Sequence, residues 1–349
     1  MVRSLNIGGR LVGPDQPCFI IAEAGVNHNG DLGRALAMVE AASEAGADAV
    51  KFQTFDPEDL ATSQAPLAQY QKAASTAKSQ KEMLRGLALS PDGFHSLAGH
   101  CQSKGIIFLS TPFDAASLNL LLGLSIPAIK IASGEVTNLP FLAEAGSKEI
   151  PVILSTGMAN LVEVEVAVNA LIDAGCRDLA LLHCVSRYPA VPAEANLRAM
   201  LTLGQRFHRP VGYSDHTLGS EVALAAAALG ACIIEKHFTL DRSLPGPDHQ
   251  ASAIPDELAA LVSGVRKVEA ALGHGRKEPA PSEAETARAA RRSLVAAVDI
   301  AAGSELRPDM LASKRPGTGI PPSRASELVG RRTARDIPAG TILGLEMLL

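Results

Sequence analysis

Two lysines stand where their charge needs an explanation. Lys51 lies in Val50-Lys51-Phe52-Gln53 and Lys130 in Ile129-Lys130-Ile131, each between apolar residues in a run with the alternation of a strand. Lys51 and Gln53 share one face, opposite Val50 and Phe52. An ammonium on such a face is expensive to bury unless a carboxylate or a bound anion meets it. One such lysine fits an internal ion pair with a glutamate. Two on neighbouring parts of one structure point to a site for a multiply charged anion. Small hydroxyl and glycine residues close other apolar runs, at Ser110-Thr111, Ser133-Gly134 and Ser155-Thr156-Gly157. Turns of that kind offer backbone N–H groups to phosphate. Together with Lys51 and Lys130 they describe a pocket for phosphate and carboxylate.

Three histidines also end apolar runs: His183, His216 in Tyr213-Ser214-Asp215-His216-Thr217, and His237 in Glu235-Lys236-His237-Phe238. A lone histidine in such a place is most often a hydrogen-bonded structural residue. His216 and His237 end consecutive runs, which brings them within reach of one divalent ion. Two imidazoles without a thiolate suit Mn, Co, Fe or Zn alike, and leave positions open for water and substrate. Glu23, closing the first run, is the interior carboxylate best placed for proton transfer.

The elements that must hold these residues can be counted. Strand patterns cover Phe19–Ala24, Ala49–Phe55, Ile106–Thr111, Ala128–Ser133, Val152–Thr156, Leu179–Val185, Val211–His216 and Cys232–Thr239. Amphipathic stretches lie between them, such as Leu32–Ala45, Leu161–Ala174, Ser220–Leu229 and, last, Pro255–Leu272. Gly46, Gly175 and Gly230 follow three helical stretches, as glycine does where helices stop. Eight strand-then-helix units predict an α/β fold, a (β/α)8 TIM barrel with its polar strand ends at the catalytic mouth. A doubly wound open sheet shares this periodicity and stays open at this point. The connection from Asp56 to Leu89 is longer than a minimal βα loop, a length typical of lids and substrate walls. Its polar stretch around Gln69–Lys81 fits a solvated extra helix equally well.

The composition sets the outer bounds. The chain has 349 residues, 47% hydrophobic and 20% charged, so it reads as folded throughout, with one large domain and a smaller one. A net charge of −5 gives no reason to expect nucleic acid or an anionic membrane as a partner. The first residues lack the apolar core of a signal peptide, and no apolar run approaches the roughly 18 residues of a membrane span, so a cytoplasmic protein is expected. Cys18, Cys101, Cys176, Cys184 and Cys232 form no CxxC pair and read mostly as small buried hydrophobes.

Gly273, Gly275, Pro279 and Pro281 mark a hinge. The expected organisation is a barrel over 1–272, a linker over 273–290 and a small domain over 291–349. The tail carries an internal repeat, Asp299-Ile300-Ala301-Ala302-Gly303 before Leu306 and Asp336-Ile337-Pro338-Ala339-Gly340 before Leu343. Each Ala-Gly pair suits a turn leaving a short strand, followed by a short apolar or helical piece at Pro308–Leu311 and Leu345–Leu348. A module this small is expected to dock on the barrel or on a second subunit.

In order, these segments resemble the sialic acid synthase family over nearly the whole chain. The matching blocks are 22–30 (AEAGVNHNG), 50–54 (VKFQT), 110–114 (STPFD), 130–135 (KIASGE), 154–158 (LSTGM), 212–217 (GYSDHT) and 235–239 (EKHFT). The tail is similar to that family's antifreeze-like (SAF) domain, with Lys314-Arg315-Pro316-Gly317 matching its substrate-contacting segment. The resemblance implies that Lys51, Lys130, Ser133, Ser155, Ser186 and Tyr188 line a phosphoenolpyruvate site, with Thr111 beside them, and that His216 and His237 hold Mn2+ or another divalent metal. It also implies that Gln53, Glu135, Asp248 and Arg315 face an N-acylamino sugar, with Arg315 entering from the partner subunit of a domain-swapped homodimer. Ser186 stands where some members carry Asn, and Ala24 where Ile is common.

The implied reaction joins phosphoenolpyruvate to the open-chain sugar, best matched by N-acetylmannosamine. A 6-deoxy diamino sugar leading to legionaminate or pseudaminate is the alternative. A synthase making an octulosonate or heptulosonate would need further cations for a sugar phosphate, and usually lacks the appended module. A non-catalytic carbohydrate-binding or ice-binding protein would have no use for Lys51, Lys130, His216 and His237 together.

Overall fold

The computed structural model describes residues 2–68, 71–72 and 77–349. The chain forms two compact units, one running to Gly273 and one from His274 to Leu349.

In the first unit, β1 (Leu5–Ile7) and β2 (Arg10–Val12) make a hairpin, followed by eight strands of one parallel sheet. These are β3 (Phe19–Gly25), β4 (Ala49–Thr54), β5 (Ile107–Pro112), β6 (Ile129–Ile131), β7 (Val152–Ser155), β8 (Leu179–Cys184), β9 (Val211–Asp215) and β10 (Ile233–His237). Their spatial order is β5-β4-β3-β10-β9-β8-β7-β6. The end strands β5 and β6 lie side by side, so the sheet wraps into a (β/α)8 barrel rather than an open doubly wound sheet. Each expected strand is present within two residues at either end.

Period-two alternation divides every strand between two cores. Outward residues such as Ile20, Val50, Ile129, Leu154, Leu181 and Ile234 pack against the helices. Inward residues build an apolar floor from Phe19, Ile21, Ala49, Leu109, Ala128, Ile153, Leu182 and Ile233. Gly212 leaves room in that floor, because a Cβ there would sit 2.4 Å from the Ile233 carbonyl oxygen. The floor is closed by the hairpin, whose Leu5, Ile7 and Val12 are buried in it while Asn6 and Leu11 face out. Gly8 and Gly9 hold the hairpin turn at φ 57° and 86°, the left-handed conformation such turns demand. The sequence reading passed over this hairpin, although Gly-Gly between alternating apolar residues is its signal.

The long connection after β4 has a small core of its own. Leu67, Met83 and Leu87 are buried with Val26 and Phe55, and Leu60, Leu84 and Phe113 pack on them. Glu58, in the helical turn Pro57–Leu60, pairs with Lys81 at 2.8 Å and with Arg85 of the helix Gln80–Arg85 at 2.6 Å. Part of the Gln69–Lys81 stretch, at 69–70 and 73–76, lies outside the described residues.

In the second unit, β11 (Ser293–Ala296) pairs antiparallel with β12 (Leu311–Lys314). The two sequence repeats pair with each other. Ile300 and Ile337 exchange backbone hydrogen bonds at 2.9 and 2.8 Å. Asp299 accepts from the Ala339 N–H and Asp336 from the Ala302 N–H, both at 2.7 Å. Residues 281–290 hold a 3-10 turn and the helix Ala284–Ala290.

The floor generates a stability prediction. Ile7→Ala opens a cavity in it and should cost about 2–5 kcal/mol, whereas Leu11→Ala, on the exposed side of the same hairpin, should stay within about 0.5 kcal/mol. Urea unfolding of both variants checks this, and equal losses would show that the hairpin does not plug the barrel.

Candidate active site

One step above the apolar floor, the same inward faces turn polar. Glu23, Lys51, Thr111, Lys130, Ser155, Ser214 and Glu235 are all buried there, at the C-terminal ends of their strands. Lys51 Nζ lies 2.5 Å from Glu23 Oε2 and 3.8 Å from Glu235 Oε1, and it donates to Thr111 Oγ1 at 3.0 Å. Lys130 Nζ is 3.4 Å from the same Glu235 oxygen. Gln53 donates to Glu23 Oε1 at 3.1 Å and Ser214 to Glu235 Oε1 at 3.2 Å. The cluster thus holds two cations and two anions.

Burial and partners pull these groups in different directions. Burial raises the Glu23 pKa above the ordinary carboxylate value, against the pull of Lys51. Burial acts the same way on Glu235, but Lys130 and Lys51 outweigh it and hold that carboxyl below its usual range. Burial lowers the Lys130 pKa, opposed by Glu235, while on Lys51 the effect of burial is overcome by Glu23 and Glu235 and the pKa rises.

Glu235 is the residue that sequence reasoning missed as a site member. Its signal was the alternation Ile233, Glu235, His237, which puts it on the inward face beside a histidine already singled out. Lys236 points the other way. It pairs with Asp215 of β9 at 2.7 Å and also donates to the Thr217 carbonyl, while Asp215 accepts from the Thr217 N–H and hydroxyl at 2.9 and 2.7 Å.

The two histidines face each other, with ring centroids 5.2 Å apart, and the Tyr188 ring lies 4.2 Å from His216 and 5.5 Å from His237. His216 Nδ1 is 2.7 Å from the Val185 carbonyl oxygen, which fixes its proton on Nδ1 and leaves Nε2 as the basic nitrogen. His237 Nδ1 is buried and makes no hydrogen bond. Burial and the neighbouring His216 hold the His237 pKa well below its usual value, so its ring is neutral. A fixed tautomer beside a neutral imidazole with an orphaned buried nitrogen suits a divalent ion that takes its remaining ligands from water or substrate. Among the described residues no group of three His, Cys, Asp or Glu is arranged to hold a metal by itself. The third histidine, His183, is on the outward face of β8 and bonds the Ala195 carbonyl at 2.8 Å, a structural role.

Except for Glu135 and Arg315, the residues expected to act in catalysis or to bind substrate or metal all line one cavity of about 470 Å³. Ser155 Oγ is buried there without a partner, and Ser133 Oγ accepts the Gly157 N–H at 2.9 Å. Ser186 and Asp248 also reach the cavity, and burial pushes the Asp248 carboxyl up to about 6. The loop carrying Asp248 is held by the Asn27 side chain, which donates to the Phe238 carbonyl at 2.8 Å and to Ser252 Oγ at 2.9 Å. Ser252 in turn donates to the Asp248 carbonyl at 2.6 Å. Glu135 lies in the 3-10 turn Ser133–Glu135, next to the lining residues Ser133 and Gly134, where its carboxylate accepts the Asn138 amide at 2.7 Å and does not itself line the cavity. Arg315 belongs to the C-terminal unit, where its Nε donates to the Ala290 carbonyl at 3.0 Å.

Comparison with known proteins follows this division of the chain. Residues 38–277 match the model of the NeuB family, and residues 291–349 match the SAF domain. The chain is 48% identical to an N,N'-diacetyllegionaminic acid synthase of Legionella pneumophila, over 98% of this chain and 97% of that one. It is 46% identical to a protein of the same name from Campylobacter jejuni, over 90% and 95%. Among solved structures, the N-acetylneuraminic acid synthetase of Leptospira borgpetersenii aligns with a TM-score of 0.73 and 40% identity, covering 82% of this chain and 95% of that one. By sequence and by fold, this chain belongs to the NeuB family and carries a C-terminal SAF domain.

Proposed function

We propose that this protein condenses phosphoenolpyruvate with an open-chain 6-deoxy diamino sugar and water, giving a legionaminate-type nonulosonate and phosphate. The cavity supports the reaction class: two buried lysines, a partnerless Ser155 hydroxyl and a carboxylate with a raised pKa meet at one barrel mouth. The identity of the sugar rests on the relatives at 48% and 46%, both named for the diacetyl legionaminic product. N-acetylmannosamine, the first expectation from the sequence, is the weaker reading on that ground.

Lys130, Ser133, Ser155 and Ser186 bind the carboxylate and phosphate of phosphoenolpyruvate, and Lys51 neutralises charge beneath them. The methylene carbon of phosphoenolpyruvate then forms a bond to the sugar aldehyde carbon as its C=C π bond breaks and the aldehyde oxygen takes up a proton. Water adds to the resulting cationic carbon and gives up a proton, and phosphate leaves with C–O cleavage as the hydroxyl on that carbon becomes the ketone. Glu23, with its carboxyl above the usual range, holds or passes the proton at Oε1 or Oε2, and Gln53 fixes its orientation. Tyr188, beside both histidines, completes the phosphoenolpyruvate pocket, and Asp248 closes the sugar side and keeps the aldehyde in line. His216 and His237 would hold a divalent ion such as Mn2+, whose chemistry is to polarise the aldehyde oxygen.

Phosphate release with phosphoenolpyruvate and a panel of amino sugars tests the reading. The 6-deoxy diacetamido sugar should give a kcat/KM at least about tenfold above N-acetylmannosamine, and the reverse order would sink the substrate assignment. Lys130→Met should raise the KM for phosphoenolpyruvate about 10- to 100-fold, the loss of one charge-assisted contact, with the sugar KM nearly unchanged. Equal effects on both substrates would remove Lys130 from the anion site. His216→Ala and His237→Ala should each abolish metal-dependent turnover and saturable Mn2+ binding measured by calorimetry. Stoichiometric binding in either variant would place the ion elsewhere.

A further inference from the structure

The cavity carries charged and polar groups around its base, and large apolar side chains gather above them on one side only. Lys130, Ser133, Ser155 and Ser186 come from the ends of β6, β7 and β8. The opposite arc carries Glu23, Lys51 and Thr111 at its base, and above them the long connection after β4 and its neighbours line the same cavity with Val26, Leu60, Met83, Leu84, Leu87 and Phe113, beside Gln71 and Gln80. Gln53, at the end of β4, lies at the base of that arc with its amide on Glu23.

An apolar wall of this kind is unexpected over a site for a polyhydroxylated sugar. A hydroxyl pressed against these side chains, rather than turned toward Gln71 or Gln80, would lose its water without gaining a partner. The wall is also built rather than accidental. Met83 and Leu87 are anchored in the loop's own core, while Leu60, Leu84 and Phe113 are half-buried and remain partly open. The Glu58 pairs with Lys81 and Arg85 hold the two helical pieces of the loop together.

We infer that Leu60, Leu84 and Phe113, backed by Met83 and Leu87, form a subsite for the methyl groups of the sugar, above all the 6-deoxy methyl. This rests on the substrate reading proposed above and adds to it the residues that select for a sugar lacking the 6-hydroxyl. With the anionic end of phosphoenolpyruvate on the β6–β8 arc, the sugar's far carbons fall on the β3–β5 arc, where a hydroxyl is penalised and a methyl is buried. A methyl in such a pocket is worth roughly 10- to 200-fold in kcat/KM.

The test compares Leu60→Asn and Leu84→Asn with wild type on a 6-deoxy diacetamido sugar and on its 6-hydroxy analogue. Each variant should lower kcat/KM for the 6-deoxy sugar at least about tenfold, lose less on the 6-hydroxy analogue, and keep the wild-type KM for phosphoenolpyruvate. The unchanged phosphoenolpyruvate KM shows that the barrel is folded, and Leu84→Met, which conserves volume and polarity, should retain the wild-type ratio. Proportional losses on both sugars, or no loss on either, would overturn the methyl subsite. The wild-type preference between the two sugars is read separately: a wild type favouring the 6-hydroxy compound overturns the substrate reading, whereas a wild type favouring the 6-deoxy compound with an unchanged ratio in both variants overturns only the wall.

Discussion

The barrel mouth depends on keeping two ammonium groups and two carboxylates together out of water. Below Lys51, Lys130, Glu23 and Glu235 lies an apolar floor, so no solvent reaches them from beneath and their charges must be met sideways. Ion pairs of this sort add little net stability, because desolvation offsets most of the attraction. Their value is in the state they leave behind. The cluster is neutral in formal charge yet incomplete in hydrogen bonds, since Glu235 Oε2 and Ser155 Oγ are buried without partners. On the proposed reading, an arriving trianion competes with the carboxylates for the lysines, and Glu23 is the group whose elevated pKa lets it take up a proton in response.

That cluster also explains why the floor, the hairpin and the close packing at Gly212 matter to a site they do not touch. A cavity beneath the charges would admit water, weaken each ion pair and loosen the lysines' geometry. Leu5, Ile7 and Val12 exclude it from below. From above, the loop after β4 brings its own small core to one side of the same cavity.

Most of this was legible in the sequence because it depends on alternation. The apolar neighbours of Lys51 and Lys130 fixed which way each lysine must point, and runs ending in histidine placed His216 and His237 on adjacent strands. Where alternation was not applied, residues were lost: Glu235 sits two positions before His237 and faces inward for the same reason, and His183 faces outward by the same rule. Glu135 was beyond that logic. It lies past the end of β6 in a 3-10 turn, where a single turn of backbone decides whether a carboxylate meets the cavity or its own Asn138. The sugar could not be read from strands at all, because its candidate selectors sit in a loop whose side-chain directions follow from its own packing.

The Asp215–Lys236 pair lies on the far side of the sheet from the chemistry, buried against the helices and tied to Thr217. Its two members are the residues immediately before His216 and His237. It therefore acts as a crossbar between β9 and β10 at the height of the imidazoles, setting their separation from behind. Rigidity of that kind means the rings need not be brought together when a ligand arrives; the loss of freedom is already met when the barrel folds. A barrel with a slack crossbar could keep every side chain that touches substrate and still work poorly, its two rings wandering apart by fractions of an ångström.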